Sequence, residues 1–402
     1  MSNGDLFKIK FIMKLAGVLH RYGASSDRIE AAMYQVSEKL KIKSEFFSLP
    51  TSFMGHFVTQ NSDEYTRMLR LEPGKINLEK LYYADQMVDQ VLDESMSVAQ
   101  GIKALDDLVE RPSIHKDWLV NISIMLLSAG VAFLLKGTTY DSVLAGLLGL
   151  LSGLLNSSVK IERMDTVKEG IICFIIGFCA FASAHYFPRI NPQIVILSAI
   201  IYYIPGLTLT MAMGEISSQN LTAGTARLAG AIIILLKIVF GTFVGSTLAQ
   251  KIWQMNLLTT TNELTWFFIP ALLIVSFTFV ILFQAKWQES FWMILAASST
   301  YLIHMFLKAP IGNLAATLVA GTYIGASSNL YSRVLNRPSM IVTLPSIILL
   351  VPGSVGYKGF EFLFINETLF GINTLFTTFN LGLALVAGTY FGSSLIKPRR
   401  MI

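Results

Sequence analysis

The chain has 402 residues, 53% of them hydrophobic and only 14% charged, and its mean hydropathy of +0.57 is far above that of an ordinary soluble domain. Of its 31 basic and 26 acidic residues, 15 and 17 fall in the first 117 positions, so a charged front precedes a membrane-embedded remainder. The formal charge of +5 belongs to loops that anchor in lipid, which excludes nucleic acid as a partner.

Residues 5–22, DLFKIKFIMKLAGVLHRY, repeat apolar side chains at three-to-four spacing and predict a helix capped by Gly23. A second helix is expected from Ser25 or Ser26, both suited to an N-cap. SEFFSLPTSFMGHFVTQ and YTRMLRLE, rich in aromatic and branched residues and broken by Pro50 and Gly55, predict short strands. NLEKLYYADQMVDQVLDE and SVAQGIKALDDLVER return to helical periodicity, so the front reads as a small α+β domain. The start, MSNGDLFKIK, lacks a cleavable signal pattern, and this domain is expected in the cytosol. His20 and His56 have no nucleophile arranged around them and read as packing or surface residues.

From Trp118 onward, ten spans near the ~20 apolar residues of a bilayer core are expected. They lie near 118–136, 141–158, 167–187, 193–210, 221–250, 266–285, 290–307, 311–331, 338–356 and 377–396. Cys173 and Cys179 sit six apart in one run, too far along a helix to bridge. With the N-terminus inside, inner loops and tail hold Lys160, Arg163, Lys168, Lys286, Arg333, Arg337, Lys397, Arg399 and Arg400. The outer ones hold Lys136, Arg189, Lys251, Lys308 and Lys358. This bias predicts both termini in the cytosol.

A repeat lies within the membrane part. IPG at 204–206 and VPG at 351–353 each end an apolar run, and Pro205 and Pro352 are 147 positions apart. The same offset lays VFGTFVGSTL at 239–248 on VAGTYFGSSL at 386–395. Each unit then holds five helices, and an odd number inserts the second copy upside down, a plan of secondary transporters. The expected organisation is a cytosolic domain at 1–117 and five-helix repeats at 118–255 and 256–402.

Pro205-Gly206 and Pro352-Gly353 remove helical donors and let the backbone turn, leaving polar groups that are tolerable only against protein or water. The segment after the first break carries Glu215, Asn220 and Arg227. In a cytosolic hairpin its charges are simply solvated. If it dips into the membrane, Glu215 is the candidate proton carrier and Arg227 its partner or a carboxylate contact. Lys237 reads as a snorkelling or paired structural lysine. Asn156 and Ser157 end the second span, Ser299 lies in the seventh and Asn329 in the eighth, a lining suited to a small polar solute. GTFVG, GTYIG and GTYFG suit close helix packing. With no Walker loop, zinc cluster or haem motif in the chain, no cofactor or metal is expected.

LAGVLHRYGASSDRIEAAM, NLEKL through ALDDLVERP, and IPGLTLTMAMGEISSQNLTAGTARLAGAI resemble the amino-terminal module of the bacterial threonine/serine exporter family. GTYIGASSNLYSRVLNRPSMIVTLPSIILLVPGSVGYKGF is similar to its smaller carboxy-terminal module, in the order of the fused, single-chain members. The resemblance implies a ten-helix carrier of the bacterial inner membrane, with a cytosolic amino-terminal domain, that exports threonine and serine in antiport with protons. Related two-subunit members are linked to succinate export, so a dicarboxylate is the alternative cargo. Family members often have aspartate where this chain has Glu215, and the resemblance supplies no catalytic residue. The expected partners are therefore a small polar substrate, protons and the lipid bilayer, with room for a homo-oligomer. A membrane-tethered enzyme acting near His56, or a sensor using the front domain, are the competing classes.

Overall fold

The computed structural model describes residues 3–59, 63–72, 74–158, 165–253 and 267–397. Lys160, Arg163, Arg399 and Arg400 of the charge count, and the expected boundary at 255/256, lie outside the described residues.

The front contains α1 (Asn3–Arg21), α2 (Ser26–Lys39), β1 (Lys43–Leu49), β2 (Ser52–Val58), β3 (Glu64–Arg70), α3 (Leu78–Leu92) and α4 (Val98–Glu110). Gly23 closes α1 with φ +94°, a conformation that disfavours any side chain, and extended Ser25 precedes α2. Ser97 and Gln100 form a reciprocal capping box on α4. The strands form an antiparallel sheet in the order β1-β2-β3, with Phe47 opposite Met54 and Met54 opposite Met68. Alternation turns Phe46, Phe53 and Phe57 inward, where they join Phe11, Ile12 and Leu15 of α1. Each buried aromatic contributes about 1.5–3 kcal/mol.

The remainder is helical. It comprises α5 (Asp117–Leu134), α6 (Thr139–Ser158), α7 (Asp165–Tyr186), α8 (Pro192–Ala199), α9 (Gly206–Ser217), α10 (Leu221–Trp253), α11 (Phe268–Leu282), α12 (Ser290–Ile311), α13 (Asn313–Leu335), α14 (Met340–Leu350), α15 (Gly353–Phe364) and α16 (Thr368–Leu395). Among the described residues, six stretches are long and apolar enough to cross a membrane: Asp117–Leu134, Val167–Tyr186, Leu221–Trp253, Trp287–Ile311, Met340–Phe364 and Thr368–Leu395. The breaks fall where proline predicts them, between α8 and α9 and between α14 and α15. Gly55 lies within β2 instead of breaking it, and three helix boundaries differ most from expectation, the first being the end of α15 at Phe364 and not at 356. The helix after Pro205 runs on to Ser217, not to 210, and α16 starts at Thr368, nine residues before the expected 377, where Asn366 at φ +65° turns the chain out of α15; Leu369, Phe370 and Ile372 of its first turns stand exposed.

Glycine decides the tightest crossings. A Cβ at Gly241 would lie 2.3 Å from the Gly170 carbonyl oxygen, and one at Gly245 would lie 2.2 Å from that of Phe174, so α7 and α10 touch backbone to backbone. The pair α13 and α16 does the same, with a Cβ at Gly388 2.2 Å from the Leu318 oxygen and one at Gly392 2.0 Å from the Thr322 oxygen. Between lipid-facing helices such close approach supplies the attraction that water would otherwise provide through the hydrophobic effect. The glycine-rich stretches are packing ridges, as their spacing predicts.

Candidate functional site

The two broken helices meet. Pro205 and Pro352 take nearly the same non-helical backbone, φ −78° and ψ 45° against φ −77° and ψ 28°, and each opens a helix of 12 residues. The first turn-to-turn bonds are Leu209 N to Pro205 O and Gly356 N to Pro352 O, so the amides before them lie outside the helical ladder, and of these Gly206 N donates to the Ile204 carbonyl at 2.7 Å. A Cβ at Gly353 would lie 2.9 Å from Gly206 Cα, and one at Gly206 would lie 2.4 Å from Val351 Cγ1. Two helix N-termini, each with its positive dipole end, therefore face one another across two glycines.

They do so at the wall of a cavity of about 2520 Å³ that Pro205, Gly206, Thr208, Gly353 and Ser354 line from one side and front-domain residues such as Arg21, Lys75 and Lys80 line from the other. Asn156 and Ser157 reach the same cavity. Ser157 accepts a hydrogen bond from Asn121 Nδ2 at 3.4 Å, and the Asn156 carbonyl accepts one from Lys168. Pro352 is buried beside Gly353.

The other residues singled out by sequence lie elsewhere. Glu215 is 1% exposed and receives Arg227 Nε on Oε2 and Arg227 Nη2 on Oε1, both at 2.8 Å. Its Oε1 also accepts the Ser26 amide at 2.9 Å, from the first turn of α2. Glu215 is buried while Arg227 is partly exposed, and neither lines the cavity; the pair joins the front domain to α9 and α10. Asn220 closes the turn between those helices, its amide donating to the Glu215 carbonyl at 2.8 Å. Ser299 bonds the Tyr323 hydroxyl at 2.9 Å between α12 and α13, and Asn329 holds the end of α16 through the Ile396 carbonyl at 2.6 Å.

Sequence reasoning passed over Glu169. It opens an apolar run and looks like a loop charge, yet it lines the cavity and stands within electrostatic reach of Lys237, whose carbonyl lies 3.6 Å from a Cβ built on neighbouring Gly170. The available signal was an acid and a lysine in two runs that both carry glycine ridges. Among the described residues, no group of three or more His, Cys, Asp or Glu could hold a metal ion.

A model of the threonine/serine exporter family matches residues 10–249, and a second model of threonine/serine exporters matches residues 269–395. The chain belongs to the threonine/serine exporter family. This exporter-family chain is 26% identical over 407 residues to pheromone-regulated membrane protein 10 of Saccharomyces cerevisiae, covering 96% of itself and 50% of that protein. It is 26% identical over 365 residues to the protein of the same name in Eremothecium gossypii, covering 87% and 48%. An uncharacterized protein of Schizosaccharomyces pombe is 24% identical over 370 residues, with 88% and 44% covered. The chain spans about half the length of these relatives. No solved structure matches it.

Near the joint, burial first and then Arg227 hold the His20 imidazole below its ordinary 6.5, while the Glu72 and Pro50 carbonyls and Glu215 pull it upward. A histidine depressed in the folded state takes up its proton more readily when unfolded, so its contribution is complete above 6.5 and is lost as pH falls through that value. His20→Gln is expected to flatten the decline in thermal stability between about pH 6.5 and 5, as measured by differential scanning fluorimetry of the purified chain.

Proposed function

We propose that this family member is a secondary exporter of a small polar metabolite, threonine or serine first and a dicarboxylate second, driven by the proton motive force, and that it is a transporter and not an enzyme. The observation that carries the reading is the meeting of Gly206 and Gly353, two broken-helix N-termini, at the wall of a large cavity reached by the front domain. Backbone amides outside the helical ladder at two dipole ends suit a substrate carboxylate.

We read the membrane part as two inverted five-helix repeats, 118–255 and 256–402, behind a cytosolic domain at 1–117. Support comes from the matched helix starts, 206 with 353 and 221 with 368, and from the twin glycine crossings. Transport then consists of rocking one repeat against the other. In this reading both termini are cytosolic, and the bacterial inner membrane of the resemblance is the proposed compartment.

The proton site lies among two carboxylates. Glu169 is open to the cavity, whereas a proton role for Glu215 requires its bidentate pair with Arg227 to open. Counterflow in proteoliposomes tests the whole reading. Serine or threonine flux that follows an imposed pH gradient is the expected result, and no flux of serine, threonine or succinate would overturn it.

A further inference from the structure

Apart from apolar packing, in which Leu19, Ala24 and Leu81 meet Pro338 and Met340, polar contacts of two different chemistries fasten the front domain to the membrane part. One is the joint at Glu215, which takes three hydrogen bonds: two from Arg227 and one from the Ser26 amide at the positive end of α2. The other lies at the end of α11. There Leu78 N donates to Phe283 O at 2.9 Å, Glu79 N to Gln284 O at 3.1 Å and His115 N to Gln284 Oε1 at 2.9 Å. Lys286 covers the rings of Tyr82 and Tyr83 at 3.7 and 3.8 Å. The first anchor grips α9 and α10, and the second grips α11. On the proposed repeat boundary these belong to different halves.

The Glu215 joint is also where the two halves cease to match. At the offset of the repeat, Glu215 corresponds to Phe362 and Arg227 to Thr374. An acid and an arginine needed for the shared helix packing would recur in both copies. They stand only in the first copy, although the front domain also meets the start of the second broken helix, where Leu19, Ala24 and Leu81 lie against Pro338 and Met340.

We infer that the front domain is a strap across the cytosolic mouth of the cavity, tied to both halves, and that Glu215 is the positioning residue that makes the domain travel with α9. This rests on the rocking motion proposed above. The α11 anchor is mostly main chain and aromatic surface, so it holds the domain as a fixed hinge. The α9 anchor hangs on one carboxylate, so it is the releasable end. His20, Glu30 and Tyr390 are the other titratable groups within electrostatic reach of that carboxylate, and Arg227 is its charged partner.

Ser26 permits a narrow test. It is the first residue of α2, where proline is tolerated, and Ser25 before it is extended at φ −75° and ψ 158°, as a residue preceding proline must be. Ser26→Pro therefore deletes the amide donor to Glu215 and keeps the helix. Ser26→Ala keeps the amide and removes a buried hydroxyl that has no partner. In the 402-residue chain reconstituted in liposomes, with Cys173 and Cys179 replaced by alanine, spin labels at Met68→Cys and Leu221→Cys report the α9 side. Labels at Met68→Cys and Val334→Cys report the other side. All three positions are exposed.

Ser26→Pro is expected to raise the undocked fraction in the Met68–Leu221 distance by about tenfold or more, the worth of a hydrogen bond to a charged group. The Met68–Val334 distance is expected to stay narrow, and maximal serine flux to change with KM unaltered. Glu215→Gln should reproduce this by a second route if the proline variant fails to fold. Distances and flux that superimpose on those of Ser26→Ala in both variants would overturn the strap. Undocking without any change in flux would overturn its coupling to transport. A wild-type chain without flux would defeat the exporter reading alone, since the distance measurements still decide the docking.

Discussion

Gly353→Ala is expected to lower serine or threonine flux about ten- to hundredfold while the chain still inserts and folds. The added Cβ would lie 2.9 Å from Gly206 Cα and 2.7 Å from Ile204 Cγ2. A side-chain tip can rotate away; a backbone Cα cannot, so the two helix starts must separate. Overpacking of this kind costs about 1–3 kcal/mol, and 1.4 kcal/mol is a factor of ten in a conformational equilibrium. Gly206→Ala meets Val351 at 2.4 Å, a stiff β-branched chain, and should act in the same direction. Proteoliposome uptake at matched protein density, alongside a thermal melt of the detergent-solubilised variant, checks both. Full flux in Gly353→Ala would remove the apposed breaks from the transport pathway.

The second large effect concerns Glu169 and Lys237. Judged by the glycine crossings, where Gly170 and Phe174 carbonyls occupy the places of Leu318 and Thr322, Glu169 corresponds to Thr317. Lys237 corresponds to Ala384 at the offset of the repeat, and both counterparts are buried. The α13–α16 crossing thus has no charge at these two places, and the α7–α10 crossing carries two, both half-buried. Glu169→Ala alone removes a charge within electrostatic reach of Lys237; both residues are half-buried, so it should destabilise the chain by about 1 kcal/mol or less. The double variant Glu169→Thr with Lys237→Ala should melt no lower than wild type and yet lose the response of flux to an imposed pH gradient. Gradient-driven flux in the double variant that equals wild type would place proton coupling elsewhere, with Glu215 the next carboxylate to test.

Much of the architecture was legible in order. The period of the front helices, the Gly23 and Ser25 boundary, the strands interrupted at Pro50 and both Pro-Gly breaks follow from residue chemistry that acts over one or two turns. Of the residues that line the cavity, Pro205, Gly206, Gly353, Asn156 and Ser157 stand out along the chain because breaks and polar helix ends are local signals. Asn329 and Ser299 were polar for a different local reason, satisfying a helix end and a neighbouring hydroxyl. Glu169 was missed because a carboxylate at the start of an apolar run is indistinguishable, along the chain, from one in a loop.

What the sequence determined by itself is the menu of elements and the pairing of like with like: a charged α+β front, apolar helices, two interrupted ones, and glycine ridges that had to touch something. Periodicity and proline act through neighbours within a few residues, so they survive without knowledge of the fold. Only the tertiary structure decided that Gly206 faces Gly353, that Glu215 meets Ser26 across 189 positions, and that Glu169 rather than Glu215 opens on the cavity. Those are questions of which surfaces meet. A charge in a long apolar chain takes its role from the surface it is buried against, and that partner is set by packing between segments far apart in the sequence.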